Sequence, residues 1–311
     1  MIPAFSKDYW LLSRENRGYY AWAQRELHRL NRFARRRYRH GPCCECEGDA
    51  RSLVSEIFET GLGLHPMLDL AFAAVARAEI RFSMRFVPQR SHEERLTGSL
   101  VSEIEAAINL VSDAFRQQAV RKYQEERTID FLCYDLSQGN RIEKHTGADL
   151  GVILHIDLPD FPPIIRFAAF QAKKLDKAAD LDKAQFRTLR SAFPKASAYL
   201  FYDTDFQTLA PPLVVDAEQL ESACNKDEST RTFSVSSTTA FDGLPLSLWL
   251  FSRLAREEVG RSATDFTSAM RCFTGRDNMS EFTGGRLAVL SVGKSLRLTR
   301  DIEVGLKVDV S

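Results

Sequence analysis

The chain has no long hydrophobic run. Its most apolar stretch, LDLAFAAVARAEI (68–80), is interrupted by Asp69 and Arg77, well short of the roughly 20 residues that a membrane span needs. Met1 is not followed by the basic-then-apolar order of a secretion signal. Internal repeats and low-complexity tracts are missing too. Cysteine is sparse: of six, Cys133, Cys224 and Cys272 stand singly in ordinary segments, which suits reduced thiols in the cytosol better than a disulfide framework. These absences read as an intracellular, cytoplasmic globular protein with no membrane association.

Net charge is also missing, because 42 Lys and Arg balance 42 Asp and Glu. The balance is uneven along the chain. Residues 1–40 carry ten basic and three acidic side chains, a net of +7, so the remainder is −7. A basic N-terminal segment ahead of an acidic body is one way for a chain to present itself to an anionic polymer.

What is present is enough apolar content, 44% of 311 residues, for one large core or two smaller ones. The sequence divides near VPQRSHE (87–93). Residues 1–88 read as a helical, basic N-terminal region: helix over DYWLLSRENRGYYAWAQRELHRLNRFARRRYR, a small-residue turn at GPCCECEGD, helix over ARSLVSEIFETGL, and a third helix at about 66–80. Residues 89–311 read differently. A long amphipathic helix over about 92–118 precedes strand-like segments at 129–135, 150–156, 164–170 and 197–202, with a helix at about 180–193. That order predicts an α/β fold with a mixed sheet flanked by helices. Further on, PPLVVDAEQL and LPLSLWLFSRLAREEVG suggest strand and helix, and the chain ends on two expected strands from RLAVLSVG onward.

In the N-terminal region Arg25, Arg29, Arg32 and Arg36 follow helical spacing near one face, and Arg29, Arg32, Arg35, Arg36 and Arg37 are the candidate phosphate contacts, next to Tyr38. Such a stripe suits phosphate contacts with an aromatic for base stacking, and equally suits a solvated helix face docked on the acidic body. His40, Cys43, Cys44 and Cys46 are zinc-ligand types, but adjacent cysteines followed by a one-residue gap do not have the two-to-four-residue spacing of a zinc knuckle. An accessible small-residue loop is the plainer reading.

The segment FQAKKL (170–175) alternates apolar and polar residues so that Gln171 and Lys173 share one face of a strand. Upstream, Asp149 in HTGADLGVILHID stands at the mouth of a near-continuous apolar run, just after a Thr146-Gly147 turn. If the two strands form a hairpin through LPDFPP (158–163), with His155 opposite about Ile165, then Asp149, Gln171 and Lys173 meet at one end of the sheet. A carboxylate and an amide oxygen can hold a hard divalent cation, and a lysine beside them can orient water and offset charge on a phosphate. Without that pairing, a lone Asp and a Gln-x-Lys are ordinary solvated residues.

GAD followed by QAKK resembles the PD-(D/E)xK nuclease superfamily, of restriction-endonuclease-like fold, in a variant with glutamine at the second acidic position. The resemblance covers about 90–205 and includes the helix AQFRTLRSAFP and the strand ASAYLFY. It implies Asp149 as metal carboxylate, Gln171 as the substituted ligand, Lys173 as catalytic lysine, and Mg²⁺ or Mn²⁺ as cofactor. It also implies a glutamate from the preceding helix. Glu93 lies near the centre of the stripe Leu96, Leu100, Ile104, Ala107 and Val111, Glu103 at its margin, and Glu94 and Glu105 turn away; at a helix start Glu93 could equally serve the helix dipole. The implied activity is endonucleolytic hydrolysis of DNA in restriction or antiviral defence. A regulatory protein partner and a homo-oligomer are both compatible with it. The alternative is a catalytically silent nucleic-acid-binding or scaffold module.

Overall fold

The computed structural model describes residues 65–89, 91–135, 147–204, 210–224, 229–241, 243–274 and 286–294. The arginine stripe, Tyr38, the His40/Cys43/Cys44/Cys46 loop, the first two expected helices and the second C-terminal strand lie outside them.

Helix α1 (Pro66–Arg85) starts where its sequence says it should. Pro66 occupies the first turn, where its missing N–H costs nothing, and the His65 ring accepts the Met67 N–H at 3.1 Å. Helix α2 (Glu93–Tyr123) carries Glu93 and Glu94 in its first turn and Arg121 and Lys122 in its last, complementing the helix dipole at both ends. Its Leu96, Leu100, Ile104 and Ala107 are buried.

Strands β1 (Thr128–Asp135), β2 (Leu150–Asp157) and β3 (Ile164–Leu175) follow, then β4 (Ala178–Asp182), α3 (Lys183–Ala192) and β5 (Ser197–Asp203). Next come β6 (Leu213–Asp216), α4 (Ala217–Cys224), β7 (Thr232–Ser236), α5 (Ser237–Phe241) and β8 (Leu244–Pro245). Helix α6 (Leu246–Leu248) runs into a π-helical turn at Trp249–Leu254, and β9 (Arg261–Ser262), α7 (Phe266–Thr274) and β10 (Arg286–Gly293) complete the described chain.

The main sheet has the order β1-β10-β2-β3-β5-β6-β8, with β9 on β3. It is mixed, as expected: β2 and β3 are antiparallel, whereas β3 with β5 and β10 with β2 are parallel. His155 pairs with Ile165, so the expected hairpin register is the observed one. On one face Val152, Leu154, Ala168, Phe170 and Leu200 pack against α1, α2 and the 246–254 segment. On the other, Ile153, Phe167, Tyr199 and Phe201 meet Phe186 and Leu189 of α3, Leu220 of α4 and Met270 of α7. Strands covered on both faces need apolar residues at every position, which is why β2 reads as a continuous hydrophobic run. Although α1 precedes the Pro88 boundary, it shares a single core with α2 and the sheet. No described helix is long and apolar enough to cross a membrane.

One expected helix begins later than its pattern suggests. Residues 178–182 form β4, paired with β7, and the helix proper starts at Lys183. The sequence AADLD alternates with period two, burying Ala179 and Leu181, and Asp182 then caps α3 by accepting the Gln185 N–H at 3.0 Å.

Glu79 sits in the middle of α1, 2% exposed, and accepts the Ser247 N–H at 2.7 Å and the Ser247 hydroxyl. It thereby ties α1 to the start of α6. Burial pushes its carboxyl up to about 8 against the opposing Ser247 bonds. Between an ordinary carboxylate value and pH 8 the unfolded chain has released this proton while the folded chain keeps it, so stability falls as pH rises through that window. Glu79→Gln should flatten the decline: the difference in unfolding free energy between wild type and variant is expected to change by a few kcal/mol between pH 5 and 8 in denaturant titrations. Parallel pH profiles would refute the assignment.

Candidate functional site

Strand β3 outruns its neighbour. The last β2 pair is Leu150 with Phe170, whereas β5 accompanies β3 as far as Leu175. Alternate residues of a strand send their backbone groups to the same side, so the N–H groups of Ala172 and Lys174 point at the edge that β2 has vacated. Two carboxylates take them. Asp149 Oδ2 accepts the Ala172 N–H at 2.8 Å, and Glu93 Oε1 accepts the Lys174 N–H at 3.0 Å.

The same two carboxylates meet the side chains on the strand. Gln171 Nε2 donates to Asp149 Oδ2 at 2.6 Å, and Lys173 Nζ lies 3.9 Å from Glu93 Oε2. The four residues expected from the sequence to form a site are therefore contiguous in space. Because a carboxylate only accepts, the amide nitrogen of Gln171 must face Asp149 and its Oε1 must face elsewhere. That oxygen is buried without a hydrogen-bond partner among the described residues, and Gln171 as a whole is 1% exposed. Lys173 and Glu93 are partly open to solvent.

Local structure fixes this geometry. Gly147 has φ +67°, and a Cβ there would lie 2.9 Å from the Gln185 carbonyl of α3, so only glycine lets the turn before Asp149 pack against that helix. Thr97, one turn after Glu93, bonds back to the Glu93 carbonyl and meets the Tyr202 hydroxyl at 2.9 Å, anchoring the start of α2 to β5. Burial pushes the phenols of Tyr202 and Tyr199 well above their ordinary range, and Tyr199, paired with Gln171, also feels the Asp149 charge. Both are neutral, fixed walls.

Glu103 and Glu94 do not join this group. Glu103 is buried but ion-paired with Arg81 at 3.2 Å and Arg85 at 3.6 Å on α1, and the Glu94 side chain is exposed. The residue that the sequence did not flag is Arg286. Its N–H donates to the Asp149 carbonyl at 3.0 Å, and its Nη1 donates to the Glu94 carbonyl at 2.6 Å. Its proximity depends on β10 inserting beside β2, a pairing that carries no local sequence signal.

Carboxylate and amide oxygens are the ligand types that hard divalent cations take, and here two carboxylates and one buried amide oxygen lie along the same strand edge, with the amide nitrogen turned to Asp149. Among the described residues no three His, Cys, Asp or Glu side chains converge on one point, so an amide would have to supply part of any such set. Comparison with protein-family models, curated proteins and solved structures finds no match to this chain.

A second polar cluster closes the opposite end of the β2–β3 hairpin. Asp160 in the turn accepts from Tyr123 at 2.6 Å and from Lys122 at 2.8 Å, and lies 2.6 Å from His65 Nε2. His65 Nδ1 already accepts the Met67 N–H, so Nε2 carries the proton of the neutral ring; burial keeps its pKa low despite Asp160. This is a clamp joining α1, α2 and the hairpin.

The capping role has a measurable size. Asp149→Ala leaves the Ala172 N–H and the Gln171 amide unpaired and should cost about 1–3 kcal/mol of stability, whereas Lys173→Ala removes a long, partly exposed ion pair and should cost under about 1 kcal/mol. Chemical denaturation of both variants checks the order; equal losses would contradict the geometry.

Proposed function

We propose that the protein is a metal-dependent nuclease of restriction-endonuclease-like fold that hydrolyses DNA phosphodiesters. The observation that carries this reading is the convergence of Asp149, Gln171, Lys173 and Glu93 at the open edge of β3, with the Gln171 Oε1 buried and unsatisfied. The order α2, β1, β2, β3, β4, α3 and β5, with β3 parallel to β5, supports the resemblance of GAD…QAKK to PD-(D/E)xK nucleases. A role in restriction or antiviral defence follows from that resemblance alone.

In this reading Asp149, Gln171 Oε1 and Glu93 would hold Mg²⁺ or Mn²⁺, which would supply an acidified water and neutralisation of phosphate charge. Lys173 orients the attacking water and offsets the negative charge that grows on the phosphate as the bond to the leaving oxygen breaks. Lys173 is well placed because Glu93 draws its ammonium towards the edge where the carboxylates lie. Gln171 supplies oxygen without charge, and its amide N–H fixes the Asp149 carboxylate in one orientation.

A second reading, a catalytically silent binding module, has one observation in its favour: both carboxylates already accept β3 backbone N–H groups. They could serve the fold alone.

Incubating supercoiled plasmid with the protein and Mg²⁺ or Mn²⁺, with and without chelator, separates the two. Lys173→Ala should lower cleavage by orders of magnitude while leaving DNA affinity nearly unchanged, as expected of a group acting mainly in the transition state. Glu93→Gln should abolish it with little effect on folding, because the amide oxygen can still accept the Lys174 N–H. Glu94→Gln and Lys174→Ala should remain active. DNA binding without chelator-sensitive cleavage would favour the silent module, and loss of activity in Lys174→Ala but not in Lys173→Ala would overturn the site.

A further inference from the structure

Arg286 sets a guanidinium against the start of α2. Its guanidinium lies over the first turns of α2, gripping the Glu94 carbonyl, and a Cβ on Gly98 would sit 3.0 Å from its Cζ and Nη2. The positive end of the helix dipole is met there by the first-turn carboxylates Glu93 and Glu94. The N-cap residue His92 makes no side-chain capping bond. The Glu94 side chain is exposed and makes no ion pair with the guanidinium that holds its carbonyl. Among the described residues Arg286 has no carboxylate partner. A planar guanidinium with one N–H engaged keeps donors for a phosphate, which it can bind through two parallel bonds.

Its position relative to the site is set by the sheet. Arg286 pairs with Leu150 at the end of β10, and its N–H is bonded to the Asp149 carbonyl. Strand β2 separates it from β3: Arg286 pairs with Leu150 and Leu150 with Phe170, so two strand spacings, about 10 Å, lie between the Arg286 and Phe170 backbones, and Gln171 and Lys173 follow one and three residues further along β3. The buried, unsatisfied Oε1 of Gln171 marks the other side of the same edge.

We propose that Arg286 binds a backbone phosphate of the DNA flanking the phosphodiester that is cut, holding the strand across the ends of β10, β2 and β3. This deepens the nuclease reading and rests on it. Gly98 leaves the guanidinium room on α2: a Cβ there would meet it at 3.0 Å, and the arginine would have to give by a few tenths of an ångström. Arg286 sets affinity and register, and Lys173 sets the chemical step.

The test measures binding of a DNA duplex in chelator, where no cleavage intervenes, across a salt series, together with steady-state cleavage in Mg²⁺. Arg286→Gln should weaken binding about tenfold for all sequences alike and reduce the slope of log affinity against log salt by about 0.9, as when a protein neutralises one phosphate fewer on duplex DNA. KM should rise while kcat stays within about twofold. Arg286→Lys should keep the salt slope and lose part of the affinity, since it keeps charge without the fork. Gly98→Ala, with no change in charge, should weaken binding, and added to Arg286→Gln it should weaken it no further. If Arg286→Gln fails to fold, the lysine and Gly98 variants carry the same comparison. A wild-type protein that cuts DNA, with Arg286 variants unchanged in affinity and slope, overturns this inference alone and leaves Arg286 as a latch between β10 and α2. A wild-type protein that neither binds nor cuts DNA overturns it together with the nuclease reading.

Discussion

The structure turns on five residues of β3 that have a strand on one side and none on the other. Beyond Phe170 the β2 partner is gone, while β5 continues alongside. An exposed row of backbone donors at the end of a buried sheet must be satisfied by something. Here the partners are the carboxylates of Asp149 and Glu93, which arrive from the start of β2 and the start of α2. That single requirement ties the start of α2 to the sheet and accounts for the acidic side chains that gather next to Gln171 and Lys173.

The same requirement gives the proposed chemistry its scaffold. A site is precise when its groups are held by elements that cannot easily move. Asp149 and Glu93 are held by β3 backbone N–H groups, Gln171 by Asp149, and the start of α2 by the chain from Glu93 through Thr97 to Tyr202. All of these bonds are made between groups of the protein itself. The carboxylates can therefore close the strand edge and, in the proposed nuclease, face a cation as well.

Much of this is legible in the sequence, for local reasons. The hairpin register follows from apolar runs separated by a proline-rich turn, and period-two alternation carries Gln171 and Lys173 to one face. The helical phase correctly separates Glu93 from Glu94. It places Glu103 only at the margin of the stripe, because phase alone cannot show that Arg81 and Arg85 of α1 wait there to pair with it. Residues 178–182 merge with the following helix in the sequence pattern because a five-residue strand with two aspartates is a weak signal until its partner, more than 50 residues later, is known. Arg286 is illegible for the same reason on a longer scale: β10 pairs with β2 across more than 100 residues of chain, and nothing in RLAVLSVG says which strand it will join.

The neutral residue at 171 follows from burial. A glutamate there, 1% exposed and within hydrogen-bond distance of Asp149, would place two carboxylates side by side away from water, and one would have to take up a proton. Glutamine avoids that conflict by donating to Asp149. The cost is an amide oxygen left without a partner, a penalty of about 1–3 kcal/mol if nothing meets it. A fold selected for stability alone would relieve such a penalty with an apolar residue of similar shape, as the neighbouring positions Ala169 and Leu175 on the same face do. That β3 instead keeps an unsatisfied oxygen next to a fixed carboxylate, with a lysine two residues on, is the strongest physical reason to look for chemistry at this edge of the sheet.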